Sequence, residues 1–340
     1  MKPRPWLAPV GAAFGAAGAL RTRLYARGVL RRDALAGPVI SVGNLAVGGR
    51  GKTPLVARMA ALLLASGQRV AILSRGYGGT STGAPLLVSD GEAVLAAADV
   101  AGDEPVQLAR SLPGVVVAVA RRRIEAGRLV EARFGRCVHV LDDGFQHLGL
   151  HRDLDIVAIE AGDLAGRPMP AGVLRERPAA LARADFVLLS APDGAPLPPG
   201  LDAARTLRWH RRSLGFFSAE GVARPMPSRV FVVSAIAAPE RLAADLSGLG
   251  CRVVGQALFR DHHRFTAGEL ESAAAAARSA GADAVVTTDK DAVRLVLGPG
   301  ETRGLVWTAA GPPLIVHRME AVLEDEGRLR EILLRAARAA

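Results

Sequence analysis

The segment Val39-Ile-Ser-Val-Gly-Asn-Leu-Ala-Val-Gly-Gly-Arg-Gly-Lys-Thr53 limits most severely what this chain can become. A short apolar run ends in a glycine-rich turn that closes on Gly51-Lys52-Thr53, and a helical pattern runs from Leu55 to Ala65. A strand, a glycine loop and a helix start, in that order, form a cradle for phosphate. Glycines let successive backbone N–H groups turn toward anionic oxygens, and the helix dipole adds partial positive charge. Gly48, Gly49, Arg50, Gly51, Lys52 and Thr53 are therefore the candidate nucleotide-binding residues. In such a loop the lysine neutralises the β- and γ-phosphates and the hydroxyl is a ligand of Mg²⁺. The strict spacing wants glycine where this chain has Ala46. Gly48–Thr53 instead resembles the GGxGKT form of some partner-switched ATPases, which carry a further lysine at the position of Val47.

Charge composition supports a special role for Lys52. The chain has three lysines, Lys2, Lys52 and Lys290, and arginine supplies nearly all other positive charge. Lysine persists where a compact point charge is needed and a planar fork does not serve. The net charge of +10 and a pI near 10.9 imply an anionic partner. Aromatic residues make up 4% and no run interleaves them with arginines, so nucleic acid is the least favoured of the anionic candidates. Cys137 and Cys251 stand far apart, each opening an apolar run, and read as buried thiols in a reducing compartment.

The N-terminus is apolar from Trp6 to Leu20 and then carries Arg21, Arg23, Arg27, Arg31 and Arg32. Those fifteen uncharged residues fall short of the roughly 20 needed to span a bilayer. The pattern favours a helix lying on a membrane surface with its basic residues toward anionic headgroups, over residues 1–32.

Beyond it, β-type runs alternate with helix-period segments. Strands are expected at Val39–Val42, Val70–Leu73, Val115–Val119, Val138–Leu141, Ile156–Ile159 and Phe186–Leu189, with helices at Lys52–Ser66 and Arg121–Phe134 among the connections. This predicts an α/β fold: a P-loop NTPase-like, mostly parallel sheet with helices on both faces, over residues 33–204. Prolines crowd Ala191–Gly200, and residues 205–228 read as an extended linker. From 229 to 340 the rhythm resumes as a smaller C-terminal α/β domain, with a helix at Ala267–Ala280 opened by the capping box Thr266-Ala-Gly-Glu269.

Ligands in such sheets bind beyond the carboxyl ends of strands, so strand ends carry the chemistry. Cys137-Val-His-Val-Leu141 runs into Asp142-Asp143, about 90 residues after Lys52, the Walker-B arrangement that holds phosphate-bridging Mg²⁺. Thr53, Asp142 and Asp143 form the candidate metal set. Asp103, in Gly102-Asp-Glu-Pro105, reads either as a helix N-cap or as a carboxylate that accepts a proton from an acceptor hydroxyl. Phe259-Arg-Asp-His-His-Arg-Phe265 suits metal binding, an Asp/His proton-transfer pair or a solvated loop. Ser74-Arg-Gly-Tyr-Gly-Gly79 puts Arg75 and Tyr77 where they can grip a phosphate or sugar.

Taken together these stretches resemble the tetraacyldisaccharide 4′-kinases of lipid A biosynthesis. The matching residues are Ser41–Leu45 with Gly48–Pro54, Ser74–Gly79, Gly102–Pro105, Leu141–His147, Leu174-Arg-Glu176, Asp261-His-His263 and Thr287–Arg294, in the family's order. The resemblance implies ATP- and Mg²⁺-dependent phosphorylation of the 4′-hydroxyl of an anionic lipid disaccharide 1-phosphate, on the cytoplasmic face of the inner membrane, with no obligate protein partner. It implies Lys52 and Thr53 as phosphate and metal residues and Asp103, with His262, as the base. It also places Arg75, Tyr77, Arg123, Gln146, His147 and Glu176 near nucleotide or acceptor. Three positions depart from the family: Ser234-Ala-Ile-Ala-Ala-Pro239 replaces a Gly-Ile-Gly-Asn-Pro turn, Arg50 replaces a small residue, and Asp289 replaces glutamate. The alternative from another class is a membrane-associated, partner-switching P-loop ATPase; it leaves Asp103, the Asp-His-His loop and the Ser-Arg-Gly-Tyr turn without a purpose.

If Lys52 acts as a point charge, Lys52→Arg abolishes nucleotide turnover although the charge is kept. Near-normal turnover in that variant, measured as ADP release, contradicts the phosphate-loop reading.

Overall fold

The computed structural model describes residues 5–48, 51–81, 83–295, 307 and 311–338; the candidate residues Gly49 and Arg50 lie outside them. The strands are β1 (Val39–Asn44), β2 (Val70–Ser74), β3 (Leu86–Ser89), β4 (Val116–Val119), β5 (Val138–Asp142), β6 (Leu154–Glu160), β7 (Phe186–Ser190), β8 (Thr206–Phe217), β9 (Ala223–Arg224), β10 (Arg229–Ser234), β11 (Arg252–Leu258), β12 (Ala284–Thr288) and β13 (Leu314–Leu323). The α-helices are α1 (Ala8–Ala26), α2 (Lys52–Ala65), α3 (Ala98–Ala101), α4 (Asp103–Ser111), α5 (Arg123–Phe134), α6 (Pro239–Gly248), α7 (Ala267–Ser279), α8 (Asp289–Leu295) and α9 (Glu326–Arg338). Thr266 and Glu269 form the expected capping box at the start of α7.

One sheet runs in the order β11-β10-β12-β13-β8-β7-β6-β1-β5-β2-β4-β3, with β9 pairing β8. Strands β4, β2, β5, β1, β6, β7 and β8 are parallel, with β3 antiparallel at the edge. Strands β11, β10, β12 and β13 form a second parallel block. The two blocks meet where β13 pairs antiparallel with β8. The fold is thus the expected α/β class with a mostly parallel sheet.

Alternation along the strands supplies the two faces, since successive side chains point to opposite sides. Ile40, Val42, Val70, Ile72, Val117 and Val140 pack with Leu55, Val56 and Met59 of α2 and Val106 and Leu108 of α4. Val39, Ala71, Leu73, Val116 and Leu141 pack on the other side with Ile124, Ala126 and Val130 of α5. In the second block Val230 and Val232 meet Leu242 and Leu246 of α6, while Phe231 and Val233 meet Leu270, Ala273 and Ala277 of α7. The last helix, α9, returns to the first block and buries Leu329, Ile332 and Leu333 in the same cluster as α2.

The antiparallel seam positions the site. Ser190, ending β7, is level with Trp209 of β8. Thr288, ending β12, is level with His317 of β13, which pairs with Phe216 of β8. The carboxyl ends of both parallel blocks therefore face each other along the stretch of β8 between Trp209 and Phe216. At about 3.4 Å per residue that stretch spans roughly 24 Å. The segment expected as an extended linker, with connecting strands at Thr206–Phe217, supplies the single strand β8 that joins the blocks.

Trp209 sits at the junction, 1% exposed. Its ring packs against Gly51, which caps α2 with φ 72°, and a Cβ there would come within 2.7 Å of the indole. Glycine at 51 is thus required both by its left-handed backbone and by the ring. Trp209→Ala should lower stability by about 3–5 kcal/mol, read from denaturant unfolding. A cost below about 1 kcal/mol would show that the seam does not depend on this ring.

Candidate active site

A cleft of about 1350 Å³ opens between the facing strand ends. Lys52, Thr53, Arg75, Tyr77, Arg123, Asp142, Asp143, Gln146, His147, Glu176 and His262 all line it. Asp103 is buried behind this wall, 4% exposed, and touches His262.

The phosphate-loop side is built around a lysine between two strand ends. Lys52 is the first residue of α2, and its Nζ donates to Asp143 Oδ1 at 2.6 Å and to Asn44 Oδ1, at the end of β1, at 3.1 Å. Asp143 has φ 55° and accepts from Arg175 Nη1 at 2.6 Å through its other oxygen. Burial opposes ionisation of Asp143, but the Lys52 and Arg175 charges outweigh it and hold the carboxyl down at about 2.

Asp142, its neighbour, has the opposite environment. It is buried at the end of β5, and the Ser74 hydroxyl donates to its carboxylate at 3.0 Å. Burial, followed by the nearby Glu104 and Asp143 carboxylates, pushes it up to about 6. A buried carboxylate crowded by others at a strand end is suited to a cation. Among the described residues no three His, Cys, Asp or Glu side chains are grouped to hold a metal. Mg²⁺ asks for less, because it keeps waters and takes one or two carboxylates together with phosphate oxygens. Asp142 and the Thr53 hydroxyl fit that donor set.

Across the cleft lies a charge network that bridges the two blocks. Asp103 is the first residue of α4 and Gly102 is its N-cap, so the capping alternative does not hold. Its carboxylate turns instead to the second block, meeting His262 Nδ1 at 2.9 Å and the Arg294 guanidinium of α8. Arg294 also donates to the carbonyl of His263; burial lowers this guanidinium to about 10. His262 has φ 60° and places its ring edge-on to Tyr77, centroids 5.0 Å apart. Lys290 Nζ reaches His262 Nε2 at 3.1 Å, Asp261 Oδ1 at 3.0 Å and Glu104 Oε1 at 3.4 Å.

A third group faces α1. Arg123, first residue of α5, is 4% exposed and donates to the Asp142 carbonyl at 3.3 Å, while its Nε has no partner among the described residues. His147 is pushed down to about 4, by burial first and then by Arg123, Arg152, Arg21 and Arg75. A neutral imidazole ringed by arginines leaves an excess of positive charge, which suits an anion. Gln146 donates to the Asn44 carbonyl and to Glu176 at 3.0 and 3.1 Å, and Arg21 of α1 donates to the Gln146 carbonyl at 3.2 Å. Glu176 is held by both Nη atoms of Arg183 at 2.7 Å, and that guanidinium lies 3.6 Å over the Phe145 ring.

The sequence offers Arg175, in Arg175-Glu176-Arg177, only as a weaker candidate for gripping a phosphate or sugar, and gives no role to Arg183, Arg294 or Asn44. Arginine is common throughout this chain, so nothing local separates these from surface residues. Two of the positions that depart from the family pattern are structural here. Ser234 donates to buried Asp291 at 3.1 Å, joining β10 to α8, and Asp289 accepts from Arg318 Nε at 3.0 Å.

The tetraacyldisaccharide-1-P 4′-kinase family profile matches residues 3–338. A tetraacyldisaccharide 4′-kinase of Geobacter metallireducens is 42% identical over 311 residues, covering 89% of this chain and 91% of the relative. That of Anaeromyxobacter dehalogenans (strain 2CP-C) is 44% identical over 331 residues, covering 92% and 85%. Among solved structures, the "apo" form of LpxK from Aquifex aeolicus in complex with ATP superposes with a TM-score of 0.79 at 31% identity, covering 97% of this chain and 98% of that one.

The buried Asp103–Arg294 pair carries its own expectation. Arg294→Ala strands a buried carboxylate and should destabilise by about 3–5 kcal/mol. Adding Asp103→Asn to that variant should recover most of the loss. Strictly additive losses in a double-mutant cycle would mean that the two side chains are not paired in solution.

Proposed function

The chain belongs to the tetraacyldisaccharide-1-P 4′-kinase family, and on that premise we propose that its cleft transfers the γ-phosphoryl group of ATP to the 4′-hydroxyl of an anionic lipid disaccharide 1-phosphate. One observation carries this reading: Lys52 at a helix N-terminus and the buried Asp103–His262 pair converge on one cleft between strand ends.

Phosphoryl transfer leaves the protein little covalent chemistry; it positions the reactants and neutralises charge. The N–H groups at the start of α2 and the Lys52 ammonium take the β- and γ-phosphates. Asp143 holds Lys52 and Arg175 in place on either side of it. Thr53 and Asp142 would hold Mg²⁺, which when bound neutralises charge on the phosphate oxygens. The Asp103–His262 pair takes the proton of the acceptor hydroxyl as the O–P bond forms. Arg75, Tyr77, Arg123 and His147 receive the anionic acceptor, with Gln146 and Glu176 shaping the wall beneath it. Asp103 and His262 come from opposite blocks and are paired across the cleft, and we treat residues 33–204 and 229–340 as two lobes whose relative position that pair holds, with α9 packed back onto the first.

The acceptor is a lipid, and α1 is placed to meet its surroundings. Trp6, Val10, Phe14 and Leu20 are exposed on or beside this helix, and its two buried residues, Gly11 and Gly15, lie against the Pro168–Arg177 segment. Among the described residues no helix is long and apolar enough to cross a membrane. We therefore assign α1 to the surface of the inner membrane, on its cytoplasmic face. Family membership disfavours the partner-switching ATPase.

The test uses labelled ATP, Mg²⁺ and a detergent-dispersed lipid disaccharide 1-phosphate. Label should move to the lipid with the wild type and not with Lys52→Ala. Asp103→Ala and His262→Ala should cut transfer by roughly 10²–10⁴-fold while ATP still binds. ATP hydrolysis without labelled lipid would overturn the kinase reading; equal loss of ATP binding in both variants would remove the proton-transfer assignment.

A further inference from the structure

His262 presents a question that its hydrogen bonds answer. A neutral imidazole has one N–H and one lone pair, and its neighbours decide which nitrogen carries which. Nδ1 lies 2.9 Å from Asp103 Oδ2, an acceptor, and a longer 3.4 Å from Arg294 Nη2, a donor. Nε2 lies 3.1 Å from Lys290 Nζ, which can only donate, and 3.8 Å from Asp261 Oδ1, beyond hydrogen-bond reach. The near partners agree: the proton belongs on Nδ1 and the lone pair on Nε2.

Lys290 is itself pinned. Its ammonium bonds Asp261 on the loop before α7 and lies 3.4 Å from Glu104 on α4. It is one of only three lysines in an arginine-rich chain. A guanidinium would spread its charge over a plane, whereas an ammonium fits three partners at one point.

We propose that Lys290 is a positioning residue for phosphoryl transfer: by donating to Nε2 it holds the His262 imidazole neutral, with its proton on Nδ1 directed at Asp103. The proposal rests on the reading of Asp103 and His262 as the proton-accepting pair. Asp103 already meets one cation, the Arg294 guanidinium; a neutral imidazole adds a hydrogen bond without a second charge, whereas an imidazolium there would weaken the carboxylate further as a base.

The charged and titratable groups facing His262 are Asp103 and Glu104 from α4, Tyr77 from the loop after β2, Asp261 beside it, and Lys290, Asp291 and Arg294 from α8. Burial and then the Lys290 charge push the imidazole below its ordinary range, while Asp261, Glu104 and Asp291 pull it upward. Removing the ammonium takes away the second of the two downward influences while burial and the carboxylates stay, so His262 takes its second proton at higher pH.

The measurement is a ¹⁵N spectrum of the histidine side chains in the full-length protein in detergent micelles, with His262 assigned by its absence in His262→Asn. Wild-type protein at pH 7 should show the proton on Nδ1 and an unprotonated Nε2. In Lys290→Met the His262 titration should move up by about one unit, a tenfold gain in proton affinity. The acidic limb of kcat/KM should follow it, with kcat at pH 6.5 falling by up to about fivefold, little change at about pH 8.5, and KM for ATP within about twofold. Lys290→Arg, which keeps a donor and the charge, should recover part of the loss. A wild-type His262 protonated on Nε2, or already doubly protonated at pH 7, overturns the proposal, and that spectrum decides even if Lys290→Met does not fold. An unmoved titration and pH profile in Lys290→Met overturns it too. Full transfer activity in Asp103→Ala would instead defeat the base reading while leaving the spectroscopic result standing.

Discussion

The antiparallel pairing of β8 with β13 is the constraint on which the rest of this molecule depends. Each parallel block alone would present loops at its carboxyl end to solvent, as open α/β sheets do. Joining the blocks head to head along one long strand makes those ends face each other instead. The strand that links them is buried at Trp209, and that ring rests on the glycine that caps α2. The start of α2 and the seam are thus packed together through Gly51 and Trp209, and the distance between the two sets of strand ends follows from the length of β8.

Charge is organised to match. The cleft contains carboxylates in contrasting states: Asp143 held ionised by Lys52 and Arg175, and Asp142 pushed toward protonation by burial and its acidic neighbours. Environments that separate like groups mark the division of labour between them. Around His147 the sign reverses, with four arginines near one neutral ring. An acidic point beside the helix start and a basic hollow beside α1 give one cleft two ends with different tastes in ligand. Between them the Asp103–Arg294 and Lys290–Glu104 pairs cross from block to block, so the same charges that orient a base also tie the halves together.

Much of the fold was legible because its strands are short apolar runs bounded by glycine and charge. Val39–Val42, Val70–Leu73 and Val138–Leu141 each sit within a strand, and the capping box at Thr266 opens its helix. Boundaries drifted where the local pattern was weak, as at Arg121, two residues ahead of the helix that starts at Arg123. The reading of Asp103 stayed divided because a carboxylate at a helix start has an ordinary local use. Only the approach of Arg294 and His262, 191 and 159 residues away, separates the two uses.

The sequence by itself determined the local chemistry: a glycine loop before a helix, a strand ending in two aspartates, and a lysine kept where arginine is otherwise preferred. These are short-range properties, written in neighbouring residues and in the period of the apolar positions. The tertiary structure alone decided which strand ends face each other, that the connecting strand at Thr206–Phe217 pairs with both blocks, and that α9 closes over the first block. It also decided which of two adjacent aspartates is paired, and which nitrogen of His262 meets a donor. Such outcomes depend on packing and on charges brought close from distant parts of the chain, and burial there turns weak pairings into strong ones.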